Sequence, residues 1–470
     1  MHHVFLVAVE GFSDSLLHKL REMFTMLKAI LTLALLLLPN LAFAQEVVSA
    51  PPPPIDTGNT AWLLVSAALV MLMTPGLAFF YAGMVRRKNV VATLFQNYAA
   101  LAVVGILWAV CGYSLVFSEG NAWIGGLKYA FLNGVGQEAY QTYGVPHMAF
   151  MAFQMMFAII TPALMSGAMA ERLNFSAWLL IMSIWSLVVY VPVAHWVWGP
   201  SGWIAGMGGL DFAGGLVVHT TAGCSALIAA VLLGRRMDAE EKLPPNDVSM
   251  IMLGAALLWF GWFGFNAGSA IVSGGLASHA FVTTFLGAAA AFAAWVAVDW
   301  FRHGKPSAVG GAIGLVVGLV VITPAAGFVS VQSSLIMGAV GGAICNVIAT
   351  YIKSHSRLLD DTLDVFACHG VGGILGAIMT GMFADKSVNS AVTTEGLLVS
   401  GEIKLFLANL GATVAVVIYS FACTFVIVKL VGKLTRLRVS PEEEHYGLDT
   451  VQHGEIARHR DTVKNKNKAA

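Results

Sequence analysis

Asp211-Phe-Ala-Gly-Gly-Leu-Val-Val-His219 and Asp361-Thr-Leu-Asp-Val-Phe-Ala-Cys-His369 decide how this chain is read. Each is an apolar, small-residue stretch, and each places an aspartate eight residues before a histidine. An ionisable side chain inside a membrane helix is costly and as a rule faces a cavity or pathway. Two such stretches in matching places point to a duplicated chain whose halves share a polar feature at their interface. Movement of something small and polar across a bilayer is the function this suggests.

The surrounding composition agrees. Of 470 residues, 57% are hydrophobic and 11% charged, against roughly 25% charged in soluble domains. Apolar runs near 60–84, 92–117, 147–169, 176–198, 213–234, 249–271, 279–301, 307–324, 333–353, 363–383 and 405–431 are long enough to span, since a helix needs about 20 residues. The expectation is an all-α polytopic membrane protein with eleven spans. The formal net charge is zero, which gives no footprint for nucleic acid. The five cysteines are scattered through apolar segments, without ligand spacing for a metal. No cofactor, metal or catalytic residue is expected.

Residues 1–44 are read as an N-terminal extension and signal peptide. Lys28 precedes an apolar stretch that ends in Ala42-Phe43-Ala44, which fits cleavage before Gln45. Residues 45–58, with Pro51 to Pro54, form a stiff extracytoplasmic spacer. The membrane domain follows over 59–433, and a polar tail over 434–470.

Loops after odd-numbered spans hold Arg86, Arg87, Lys88, Arg172, Arg235, Arg236, Arg302, Lys353 and Arg436, while the others hold only Lys128, Lys386 and Lys404. The positive-inside rule then puts the N-terminus outside and the tail in the cytoplasm of a plasma (inner) membrane.

Spans one and six share a second repeat. Gly76-Leu-Ala-Phe-Phe80-Tyr-Ala-Gly83 and Gly261-Trp-Phe-Gly-Phe265-Asn-Ala-Gly268 are both G-x-x-x-F-x-A-G. Copies of five spans have opposite orientations, so the expected architecture is an inverted five-plus-five repeat with an eleventh helix. Thr74-Pro75, Thr161-Pro162 and Thr323-Pro324 would kink spans where neighbours satisfy the backbone.

Each polar residue has a bland and a functional reading. A membrane histidine can be satisfied by a carbonyl, but a pair can share one ring proton and present the other nitrogens to a pore. Trp198, ending span four, fits an interfacial anchor or a cation–π platform. Ser269 fits close helix packing or acceptance from the same cation's N–H groups. Asp211 fits an N-cap or an acid near a cation site. Asp361 and Asp364 are expected to cap span ten.

These residues resemble the Amt ammonium transporter family, within the Amt/Mep/Rh superfamily, over about 57 to 456. The carrying motifs are Asp211-FAGG-x-VVH219, GWFGFNAGS (Gly261 to Ser269), DVF-x-x-HG ending at Gly370, and Ala170-Glu171-Arg172. The resemblance implies a homotrimer with one pore per subunit. It implies an outer ammonium site at Phe153, Trp198 and Ser269, supported by Asp211. It also implies a gate of Phe157 and Phe265, with His219 and His369 lining the channel beyond. The tail, with Glu442-Glu-Glu444 and Gly447-Leu-Asp449, resembles the family segment that joins subunits and meets a PII-type signal protein. A passive NH3 channel and an ammonium sensor are the competing readings.

Overall fold

A computed structural model describes residues 53–241, 244–355 and 360–457. The signal-peptide segment and the end of the tail lie outside the described residues. From Thr57 onward the described chain is helical. Among the described residues ten helices are long and apolar enough to cross a membrane: Thr57–Met84, Arg87–Phe117, His147–Met169, Phe175–Gly206, Gly215–Leu233, Val248–Ala270, Gly275–His303, Val331–Lys353, Phe366–Phe383 and Lys404–Leu434. The shorter apolar helix Ala308–Ile322 takes the eighth place, so the expected eleven segments are present. It is the most enclosed of them, with every residue from Gly310 to Ile322 buried. The helix ends at Ile322, so Thr323-Pro324, expected to kink the span, lies in the turn that follows it.

Spans one and six run antiparallel at close range. A Cβ on Gly76 would sit 3.0 Å from Leu257, one on Gly83 2.7 Å from Ile251, and one on Gly264 2.6 Å from Leu69. The doubled glycine motif is thus the contact that joins the halves. Without hydrophobic attraction between helices in lipid, such close backbone packing holds them together.

The same logic joins spans five and ten. A side chain on Gly223 would overlap the backbone of Gly370, beside His369. Gly223 lies one helical turn beyond His219, so this close approach brings the two histidines to one depth.

Span ten begins later than the sequence suggests. Asp364 has a positive φ of 58°, a left-handed conformation that breaks a right-handed helix. Asp361 carries out the capping, accepting from Val365 N (3.0 Å) and Phe366 N (2.7 Å). Asp364, expected in the same role, pairs instead with the Lys353 ammonium.

At one end of the bundle the loops carrying Arg86, Arg172, Arg236 and Arg438 meet in a single ionic network, referred to below as the basic end. The Glu171 carboxylate is 1% exposed and lies 2.8 Å from the guanidinium of Arg86 and 2.8 Å from that of Arg236. It also accepts from Arg86 N and Asn89 Nδ2. Arg236 makes a two-pronged contact with Asp360, and Arg86 also pairs with Asp238. Arg172 donates to oxygens of two other loops: Gly234 O in one, Thr362 Oγ1 and Asp360 O in the other.

The tail folds onto this network. Ser440 and Glu443 form a capping box that opens the helix Pro441–Tyr446. Glu444 is buried, accepting from Met237 N and pairing with Arg438 at 2.6 Å. Lys88 donates to the Glu444 and His445 carbonyls. Asp449 accepts from Ala92 N. Gln452 both accepts from Phe175 N and donates to Leu173 O. These bonds make the tail a packed element of the fold as far as Gln452.

Candidate functional site: a file of aromatic and histidine rings

Span five positions His219 through Asp211. The carboxylate accepts from Gly214 N (2.8 Å), Gly215 N (2.7 Å), Leu216 N (2.7 Å) and Val217 N (3.2 Å). The N-terminal N–H groups of a helix lack internal partners, and one side chain satisfies four of them. Asp211 therefore reaches the aromatic residues through its backbone: its carbonyl accepts from Trp198 Nε1 at 3.0 Å.

Each histidine sits in a π-helical turn, Gly215–Thr220 for His219 and Phe366–Val371 for His369. The extra residue per turn shifts the side chains beyond it around the helix axis, a local device common at functional sites. Both rings are buried, with Nδ1 facing Nδ1 at 3.2 Å and ring centroids 5.3 Å apart at 26°. One proton between two Nδ1 atoms satisfies that contact. His219 Nε2 has no hydrogen-bond partner among the described residues.

The other rings continue the file. Phe265 stacks on His219 at 5.9 Å and 25°. Phe157 lies 4.3 Å from Phe265 at 34°. Phe157 in turn meets Phe153 at 4.9 Å and Trp198 edge-on at 6.0 Å. Ser269, half-buried, donates to Phe265 O at 2.8 Å. Its oxygen thus lies one turn beyond a phenylalanine of the file, and its lone pairs are uncommitted by that bond. Asp361 and Asp364 stand at the basic end, away from these rings, where they shape the start of span ten.

The space beside the histidines is lined by Met73, Leu77, Leu164, Val218, Leu258 and Val316 among others, and its free volume is about 10 Å³. That is about the threshold for one water-sized molecule. The lining is apolar except for the imidazoles, so a small neutral molecule fits and an ion with its hydration shell does not.

Sequence reasoning missed two features. One is Trp262, which stacks on His219 beside Phe265 at 5.4 Å and 21°. It lies inside the repeated motif, opposite Leu77 in the first copy, and that mismatch was its signal. The other is the Glu171–Arg236–Asp360 network, of which only Ala170-Glu171-Arg172 stood out.

A helical membrane protein with a doubled half and a buried histidine pair in an apolar lumen defines a narrow class of transport protein. Residues 61–458 match the model of the Ammonium Transporter Family. The chain is 47% identical to an ammonium transporter of Bacillus subtilis over 404 residues, 86% of this chain and 99% of that one. It is 43% identical to the ammonium transporter Amt1 of Archaeoglobus fulgidus over 408 residues, 86% of this chain and all of that one. Among solved structures, Mep2 of Saccharomyces cerevisiae superposes with a TM-score of 0.78 at 36% identity, covering 87% of this chain and 93% of that one. The chain belongs to the ammonium transporter (Amt/Mep) family. It is a multi-pass membrane transport protein and not an enzyme.

Proposed function

We propose that this protein takes up ammonium by recruiting NH4+ at an outer site, removing its proton and passing NH3 along the histidine-lined lumen. The observation that carries this reading is the imidazole pair, Nδ1 to Nδ1 at 3.2 Å inside an apolar space of about 10 Å³. Transfer of a bare ion into such surroundings costs tens of kcal/mol in the Born limit. Ammonium escapes that cost by deprotonation, and K+ cannot. The proton follows separately, relayed by the paired imidazoles, so net uptake carries charge. An ammonium concentration jump on proteoliposomes tests this, since an inward current is expected. Ammonia flux without current would instead favour a passive NH3 channel.

Phe153, Trp198 and Ser269, with Asp211 behind them, form the cation site in this reading, and Phe157 and Phe265 gate the passage. The indole N–H bond to the Asp211 carbonyl fixes the Trp198 ring plane, which a platform requires. A desolvated cation–π contact is worth about 2 kcal/mol, equivalent to roughly thirtyfold in affinity. Trp198→Leu is therefore expected to raise the half-saturating ammonium or methylammonium concentration by about that factor, with Ser269→Ala acting in the same direction. Concentration dependence unchanged in both variants would reduce Trp198 to an interfacial anchor.

The assembly is a homotrimer with one pore per subunit, placed in the plasma membrane with the basic end in the cytoplasm. The tail from Glu442 to Glu455 lies on that side and is the docking determinant for a PII-type signal protein. Vesicles bearing the chain truncated after Arg438 are expected to lose PII capture that intact vesicles show. Equal capture by both would remove the tail from that role.

A further inference from the structure

The histidine pair is not symmetric in its surroundings. The G-x-x-x-F-x-A-G motif gives Leu77 in span one where span six has Trp262. Both residues line the lumen, but Trp262 lays its indole parallel to the His219 imidazole. Trp262 and Phe265, themselves 5.4 Å apart, pack together against the His219 ring, so a rotation of the imidazole would drive it into the indole and the plane of His219 follows that of Trp262.

Trp262 is itself held by a buried polar chain. Its Nε1 donates to Thr323 Oγ1 at 2.9 Å. The Thr323 hydroxyl lies 2.7 Å from the Leu319 carbonyl and 3.3 Å from Asn266 Oδ1, alternative acceptors for its one proton. Asn266 Nδ2 donates to Thr284 Oγ1 at 2.9 Å, and Thr284 donates to Ala280 O at 2.6 Å. Thr323, Asn266 and Thr284 are all fully buried. Buried polar chains of this kind restrict a packing to one arrangement when every member is satisfied.

The residue after Thr323 touches the start of the His219 helix. Pro324 packs on Gly215, where a Cβ would come within 2.5 Å of the ring, and its carbonyl accepts from Phe212 N at 3.0 Å. One turn, Thr323-Pro324, therefore holds both the indole that stacks on His219 and the helix start from which His219 projects. In the first half Tyr81 occupies the place of Asn266, and its hydroxyl donates to Leu164 O in span three. Span three has its own Thr161-Pro162, but the Thr161 hydroxyl donates within its own helix, to Phe157 O.

We propose that Trp262, locked by the Thr323–Asn266–Thr284 chain, is a positioning residue that fixes the His219 ring and so keeps the two Nδ1 atoms facing. The proposal rests on the reading of the pair as the conducting element. Thr323→Val keeps the shape and removes the hydroxyl, and Thr323→Ser restores it. In reconstituted protein Thr323→Val is expected to lower the maximal ammonium current by about tenfold or more, since misplacement by about 1 Å can cost two orders of magnitude. The half-saturating concentration should stay as in the parent, because the outer rings are untouched, and Thr323→Ser should recover the current. Trp262→Leu, which copies the first half, should behave like Thr323→Val and serves where the valine variant does not assemble. A cryo-EM structure of the same variant supplies an arm independent of transport, with the Trp262 stack and the 3.2 Å Nδ1 contact expected to be lost. A preserved ring geometry overturns the proposal whatever the current does. So does an unchanged maximal current, or a loss that Thr323→Ser fails to recover. A parent protein that carries no ammonium current would sink the transport reading alone, and the geometric arm would still decide the positioning role.

Discussion

His219→Asp is expected to admit K+. The lumen beside the histidines has no fixed charge, and its walls are leucine, valine, methionine and aromatic side chains. An ion there faces a desolvation barrier that nothing offsets. A carboxylate about 4 Å away contributes roughly 4 kcal/mol of attraction at an effective dielectric of 20, up to about three orders of magnitude in rate. K+ flux into vesicles should rise by a large part of that factor, and selectivity for ammonium should collapse. His219→Ala with His369→Ala is the complementary case, in which K+ remains excluded but the ammonium current falls because the relay is broken. Full ammonium current in that double variant would show that the histidines do not relay protons. Continued K+ exclusion in His219→Asp would show that they do not govern selectivity.

Glu171→Ala is expected to cause the largest loss of stability of any single change at the basic end. Its carboxylate answers Arg86 and Asn89 from one loop and Arg236 from another. Removing one partner of a buried ion pair typically costs 3–5 kcal/mol, because the remaining charge is left unpaired. Arg86 and Arg236 keep Asp238 and Asp360 as partners, so about 3 kcal/mol is the appropriate expectation.

The same network predicts acid sensitivity. Burial pushes the Glu171 carboxyl up, but the bonds and charges of Arg86 and Arg236 outweigh it and hold the group at about 2. Asp360 stands at about 2 by the same balance, burial against Arg236 and Arg172. Carboxyls depressed on folding contribute stability above their unfolded values, about 4, and lose it as pH falls toward the folded ones. Thermal unfolding of the solubilised protein should therefore show a loss between about pH 4.5 and 2 that is smaller in Glu171→Gln. An identical acid profile in parent and variant, or a Glu171→Ala protein as stable as the parent, would contradict this account.

The spans and the doubled motifs were legible because both signals are local. Apolar length marks a crossing without reference to any other part of the chain, and Asp211/His219 and Asp361/His369 repeat one spacing. The histidine pair stood out because charge-capable groups are rare where lipid surrounds the helix. The outer residues were less legible. Phe153 and Trp198 are two among many aromatics, and only resemblance singled them out. The role of Asp211 divided in a way that spacing does not encode, its carboxylate capping the helix while its carbonyl orients Trp198. Contacts between distant positions were beyond reach altogether. Arg236 meets Asp360 across 124 residues, Trp262 meets Thr323 across 61, and no periodicity announces either. The π-helical turns at both histidines were hidden for a related reason, since the register of a helix depends on what it packs against.

The docked tail also fixes an order of assembly. Residues 440–452 leave the ribosome after every span has been made, yet they supply partners that earlier loops require. Lys88 waits for the Glu444 and His445 carbonyls, Met237 N for the Glu444 carboxylate, and Ala92 N for Asp449. A nascent chain that has inserted all its helices but not yet released this segment displays an open cluster of unanswered donors at the loops. The segment made last is thus the one that answers them.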